Sequence, residues 1–174
     1  MGRAYGRCVP GRDTSMNDLL YAARLHGARF GGPRPVIPAK HLAIVTCMDS
    51  RIDVFDLFGL NVGDAHVIRN AGGIITDDVL RSLVLSQRAL GTREVVLVHH
   101  SDCGLQNIHE DELRETLHAE TGAYPPYAFG AFDDVDAAVR RALARVKEHR
   151  FLAHREHARG FVYEVETGTL REVS

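Results

Sequence analysis

Short, mainly apolar runs set between amphipathic stretches constrain this chain more than any other feature. His41 to Thr46 (HLAIVT) and Glu94 to His99 (EVVLVH) are each six residues long. Runs this short suit a buried strand better than a helix. Ala65 to Arg69 (AHVIR) is another strand, and Phe161 to Glu166 (FVYEVE) a fourth. Thr167–Gly168 and a return from Thr169 to Val173 make a hairpin, which puts one antiparallel strand at the sheet edge. Helical spacing fills the gaps. Met16 to about Phe30 forms a first helix, ended by Gly31, Gly32 and the prolines at 33, 35 and 38. Thr76 caps a second helix that runs to Leu90 and stops at Gly91. Glu110 to Glu120 and Asp133 to His149 are two more, separated by a loop from Gly122 to Gly130. Strands alternating with helices imply an α/β fold: a mainly parallel central β-sheet flanked by helices, with one antiparallel edge strand.

With 174 residues, the chain fits one domain over 16–174, preceded by a loose extension over 1–15. Met16 is the other candidate start. The extension carries Arg3, Arg7 and Arg12 without an apolar stretch, so it does not read as a secretory signal. A formal net charge of -2 gives no basis for binding nucleic acid or an anionic membrane. The locally basic run Arg140–Arg150 reads as the solvated face of a helix. No run reaches the roughly 18 apolar residues of a membrane span. Three cysteines, Cys8, Cys47 and Cys103, are too few for a disulfide framework and point to a reducing, cytoplasmic setting. Cys8, in the loose extension, reads as an incidental thiol.

The chemistry lies at the strand ends. One strand runs into Cys47–Met48–Asp49–Ser50–Arg51, another into His99–His100–Ser101–Asp102–Cys103–Gly104. Ligands of parallel sheets bind at the carboxyl ends of the strands. Two thiolates and an imidazole suit zinc. Each cysteine alone reads as a small buried hydrophobe; the paired clusters do not. Three strong ligands, Cys47, His100 and Cys103, leave a fourth position for water, the catalytic pattern. Asp49 is the other candidate for that position, as a fourth ligand in a closed state. The spacing of Asp49 and Arg51 lets the arginine fork hold the carboxylate off the metal. His99 falls on the opposite side of its strand from His100 and reads as a core or interface residue. His66, His109 and His118 lack distinguishing context.

Cys47-x-Asp49-x-Arg51 followed by His100-x-x-Cys103–Gly104 resembles the β-class carbonic anhydrases. Ile68 to Gly73 (IRNAGG) is similar to the family's segment lining the active site, and His99 to Gly104 to the HH(T/S)DCG pattern of its short bacterial and archaeal branch. The resemblance runs from about Met16 to the C-terminus. It implies one Zn2+ per chain on Cys47, His100 and Cys103, with Asp49 and Arg51 as a catalytic dyad. It also implies reversible hydration of CO2 to bicarbonate and a proton by zinc-bound hydroxide, in a homodimer or homotetramer. Gly72 and Gly73 are candidate substrate-lining positions, since glycine permits close approach. Leu105–Gln106–Asn107 departs from the family pattern at the pocket rim. Two other functions fit the same ligands: hydrolysis of a CO2 analogue such as COS or CS2, and zinc binding or sensing without catalysis. A thiol redox role lacks a C-x-x-C pair.

Overall fold

A computed structural model describes residues 15–174. The expectation of a loose extension, Cys8 included, concerns residues that lie almost wholly outside this range.

The chain separates into two compact units, one ending at Arg34 and the other spanning Pro35–Ser174. The described part of the first unit holds α1 (Met16–Ala28). Ser15 and Asp18 cap it reciprocally, satisfying backbone donors that a helix start leaves open. None of its residues is buried.

The second unit is the α/β body. In chain order it comprises β1 (Leu42–Cys47), α2 (Val54–Leu57), β2 (Ala65–Asn70), α3 (Asp77–Arg88), β3 (Glu94–His100), α4 (Glu110–Thr121), α5 (Val135–Glu148), β4 (Ala158–Glu164) and β5 (Thr169–Val173). Single 3-10 turns occupy Ala71–Gly73, Gly104–Asn107 and Arg155–His157. The sheet order is β2-β1-β3-β4-β5, with β1 between parallel partners β2 and β3, and β5 antiparallel to β4. The mainly parallel sheet with an antiparallel edge is as expected. Several element boundaries differ by one to three residues. Cys47 and His100 are the last residues of their strands, and β4 begins at Ala158 and ends at Glu164. The latter shift arises because Val165 leaves the ladder, its N–H donating to the Ser101 hydroxyl at 3.0 Å.

Strand alternation sorts the core into two faces. Ala43, Val45, Val95, Leu97 and Val162 pack under α3 and α5, through Val79, Leu83, Val139 and Val146. The other face buries Ile44 and Val98 against Ile52, Val54, Leu105 and Phe132. Loops and the one-turn α2 supply most of that second cover. The helix starts follow their caps: the Thr76 hydroxyl accepts from the Val79 N–H, and the Asp134 carboxylate from Asp136 and Ala137. Gly160 lets α5 close on β4, since a Cβ there would collide with Val139 and Leu143. The loop before α5 is pinned from below. Glu110 accepts backbone N–H bonds from Phe129, Gly130 and Ala131 at 2.9, 3.1 and 3.3 Å, bonds that hold its carboxyl below the ordinary carboxylate value.

Gly160→Ala is expected to cost about 1–3 kcal/mol by overpacking, read as a lower urea midpoint. Glu110→Gln should cost about 1 kcal/mol at neutral pH. Because folding depresses its pKa, the Glu110 contribution is present above the ordinary carboxylate value and lost as pH falls through the depressed one. Urea titrations in acid should therefore bring parent and variant together.

Candidate metal centre

β1 and β3 lie side by side, so their carboxyl ends deliver Cys47 and His100 to one edge of the sheet. This is where the chain reverses direction across the sheet, leaving to β2 on one side and returning to β3 on the other, the crevice where open α/β sheets bind ligands. A 3-10 turn starting at Gly104 returns Cys103 to the same place. The sulfurs of Cys47 and Cys103 and a ring nitrogen of His100 all lie within 4.8 Å of one another. All three residues are buried, at 5%, 1% and 0% exposure.

The ligand atoms are free to bind. His100 Nδ1 lies 2.9 Å from the Ser101 carbonyl. A carbonyl only accepts, so Nδ1 carries the hydrogen and Nε2 keeps its lone pair. Nε2 is buried and has no hydrogen-bond partner. The two sulfurs shift each other in opposite directions. Cys47 is lowered to about 4, chiefly because the Cys103 S–H donates to it, and Cys103 is raised for the same reason. Burial opposes protonation of His100, but the neighbouring Cys47 sulfur and the Asp49 charge raise its pKa overall. The soft, buried and convergent donor set fits a divalent metal of zinc type.

Asp49 stands beside this triad without belonging to it. Its Oδ2 is 3.8 Å from His100 Nε2. Arg51 grips both of its oxygens: Nε and the backbone N–H donate to Oδ1 at 3.0 and 2.9 Å, and Nη2 donates to Oδ2 at 2.8 Å. These bonds hold the Asp49 carboxyl well below the usual range. The expected pairing of Asp49 with Arg51 is therefore present as a bidentate fork.

Gly72 and Gly73 are buried, and their freedom serves the metal loop. The Gly72 N–H donates to Cys47 Sγ at 3.3 Å. Both residues have positive φ, and a Cβ on Gly73 would stand 2.9 Å from the Cys47 nitrogen. Leu105, at the departure from the family pattern, is buried where a Gly72 Cβ would fall. Gln106 ties the same turn down, accepting from Cys103 N–H and donating to the Asp133 carbonyl.

Two residues with clear roles carried no flag in the sequence. Arg69 donates to the carbonyls of Cys47, Ile52 and Asp49 at 2.9, 3.1 and 2.6 Å, lacing the loop after β1 to β2. Asp102 binds Arg51 from the second loop. Arg69 lay within the quoted segment Ile68–Gly73, yet nothing in spacing reveals a side chain that serves three carbonyls. His99 is a core residue at 1% exposure, tilted against Phe132, and burial lowers its pKa to about 4. His66 is hydrogen-bonded to Ser86 at 2.8 Å, a structural contact.

An α/β sheet with a Cys-His-Cys group at its switch point defines a metal-site protein. Comparison with known proteins is specific. The family model for carbonic anhydrase matches residues 42–170. β-Carbonic anhydrase 1 of Mycobacterium tuberculosis is 46% identical over 161 residues, covering 92% of this chain and 99% of the relative. A carbon disulfide hydrolase of Acidithiobacillus thiooxidans is 31% identical, covering 76% of each chain. The crystal structure of carbonic anhydrase from Streptococcus mutans superposes with a TM-score of 0.84 at 39% identity, over 92% of this chain and 99% of that one. The chain belongs to the β-class carbonic anhydrase family.

Cobalt(II) added to the metal-free protein should bind at about one ion per chain and give thiolate-to-metal charge-transfer absorption in the near ultraviolet. Cys103→Ser should lose most of that band. An unchanged band would remove Cys103 from the ligand set.

Proposed function

We propose that this chain is a zinc-dependent carbonic anhydrase that hydrates CO2 reversibly to bicarbonate and a proton. The observation that carries this reading is Asp49's engagement with Arg51. A closed, structural zinc site needs four protein ligands. Among the described residues, Asp49 is the carboxylate beside the triad, and Arg51 holds both of its oxygens, which would leave one coordination position of a bound zinc open to solvent and substrate.

Cys47, His100 and Cys103 would hold the zinc. Bound there, zinc supplies Lewis acidity that ionises a water, and two thiolate ligands leave that water less acidic than three imidazoles would. Asp49 Oδ2, 3.8 Å from His100 Nε2, would accept a hydrogen bond from a water at the open position and orient it toward the substrate. Being held well below the usual carboxylate range, Asp49 stays an acceptor throughout the working pH range. Arg51 keeps it in place. Gly72 and Gly73 line the substrate side in this reading, the absence of side chains letting a small linear molecule approach the metal. The second reading, hydrolysis of CS2 or COS, draws on the relative named carbon disulfide hydrolase. The same nucleophile would attack either molecule, and pocket shape alone would discriminate.

The chain is further read as a cytoplasmic homodimer or homotetramer. Among the described residues no helix is long and apolar enough to cross a membrane, and Leu19, Leu20 and Tyr21 of α1 are exposed. Light scattering on purified protein decides the oligomer.

Stopped-flow CO2 hydration on zinc-loaded protein should rise from about pH 6 to about pH 9 and vanish in Cys103→Ala. Asp49→Ala should lower turnover about 10- to 100-fold while zinc stays bound. Full activity in that variant would end the dyad's role. CS2 turnover without CO2 hydration would move the assignment to the second reading.

A further inference from the structure

Arg51 is held from two sides, and only one of them belongs to the dyad. Its Nη1 donates to Asp102 Oδ2 at 2.7 Å, and its Nη2 donates to the Asp102 backbone carbonyl at 2.9 Å. Nε and Nη2 serve Asp49. Every nitrogen of the guanidinium is therefore engaged, and the side chain bridges the loop after Cys47 to the loop before Cys103. Asp102 adopts φ of 52°, a left-handed conformation that aspartate tolerates better than most residues. That turn points its carbonyl and its carboxylate at the same guanidinium.

We infer that Asp102 is a positioning residue that, by clamping Arg51 opposite Asp49, sets how readily the Asp49 carboxylate turns onto the metal. This rests on the metal-centre reading above. Asp49 Oδ2 lies 3.8 Å from His100 Nε2, so a modest rotation would bring it within coordinating reach of an ion held by that nitrogen. The arginine is what restrains it. Yet the Arg51 side chain is 45% exposed, and fixing a long, solvated side chain costs rotamer entropy. If Asp49 alone held Arg51, carboxylate and guanidinium would separate at little cost. Two acceptors on Asp102 order the fork in advance, so Asp49 meets a preformed donor pair.

A plain surface ion pair is the competing account, since the Asp102 side chain is 65% exposed and such pairs are worth little. Competition is another: Asp102 could draw Arg51 away from Asp49. Both give different results in a double-mutant cycle.

The test uses the full chain loaded with cobalt(II), titrated with thiocyanate and followed by its visible spectrum. Thiocyanate needs the position that a rotated Asp49 would occupy. Four proteins are compared: the parent, Asp102→Asn, Asp49→Ala and the double variant. Asparagine keeps the size and the left-handed tolerance of Asp102, and cobalt content checks loading. Asp102→Asn should weaken thiocyanate about 3- to 5-fold more with Asp49 present than with alanine there. Removing a nearby negative charge, or loosening the loop, would act equally in both backgrounds and cancels in the cycle. An equal effect in both backgrounds would overturn the proposal. So would tighter binding confined to the Asp49 background, which is the signature of competition. CO2 hydration by the parent is assayed alongside. Its absence would remove the carbonic anhydrase reading and leave the cycle to decide on Asp102.

Discussion

The parallel pairing of β1 with β3 is the constraint on which the rest depends. Thr46 lies opposite Val98 in that ladder, and its hydroxyl donates to the Val98 carbonyl inside the core. A slip of one residue would turn every apolar side chain of β1 to the wrong face, so burial of Ala43, Ile44 and Val45 fixes the register tightly. Cys47 and His100 inherit that register. Their separation is thus set by core packing rather than by any contact between themselves.

The site gathers negative charge around buried cysteines at the edge of the core. Cys47, Cys103 and Asp49 crowd one edge of the sheet, which is costly unless positive partners come close. The surroundings answer at several distances. The Gly72 N–H touches the sulfur, Arg51 neutralises the carboxylate, and Arg69 ties down the carbonyls of the loop that carries both.

Much of this was legible in the sequence, for identifiable reasons. HLAIVT and EVVLVH are too short and too apolar to be anything but buried strands, and their polar endings marked the site. The Asp49–Arg51 fork was readable from spacing because both residues share one loop. What escaped were long-range partners. Arg69 acts across the β1–β2 gap, and Asp102 meets Arg51 from another loop, so neither has a local signature. The second face of the sheet was equally opaque. Its cover comes from Ile52, Leu105 and Phe132 on loops, where no periodicity announces burial. The end of β4 was misplaced because a single Ser101 hydroxyl captures the Val165 N–H, a side-chain event that apolar patterning cannot express.

The ligands come from the tips of two strands that meet only once the sheet has formed. An unfolded chain offers just the short His100–Cys103 bite, since Cys47 lies far off in sequence. On the proposed zinc reading, capture of the metal would follow closure of the core beneath α3 and α5. That core has no share in the ligands. On that reading, removing the metal would leave the scaffold folded and able to be filled again.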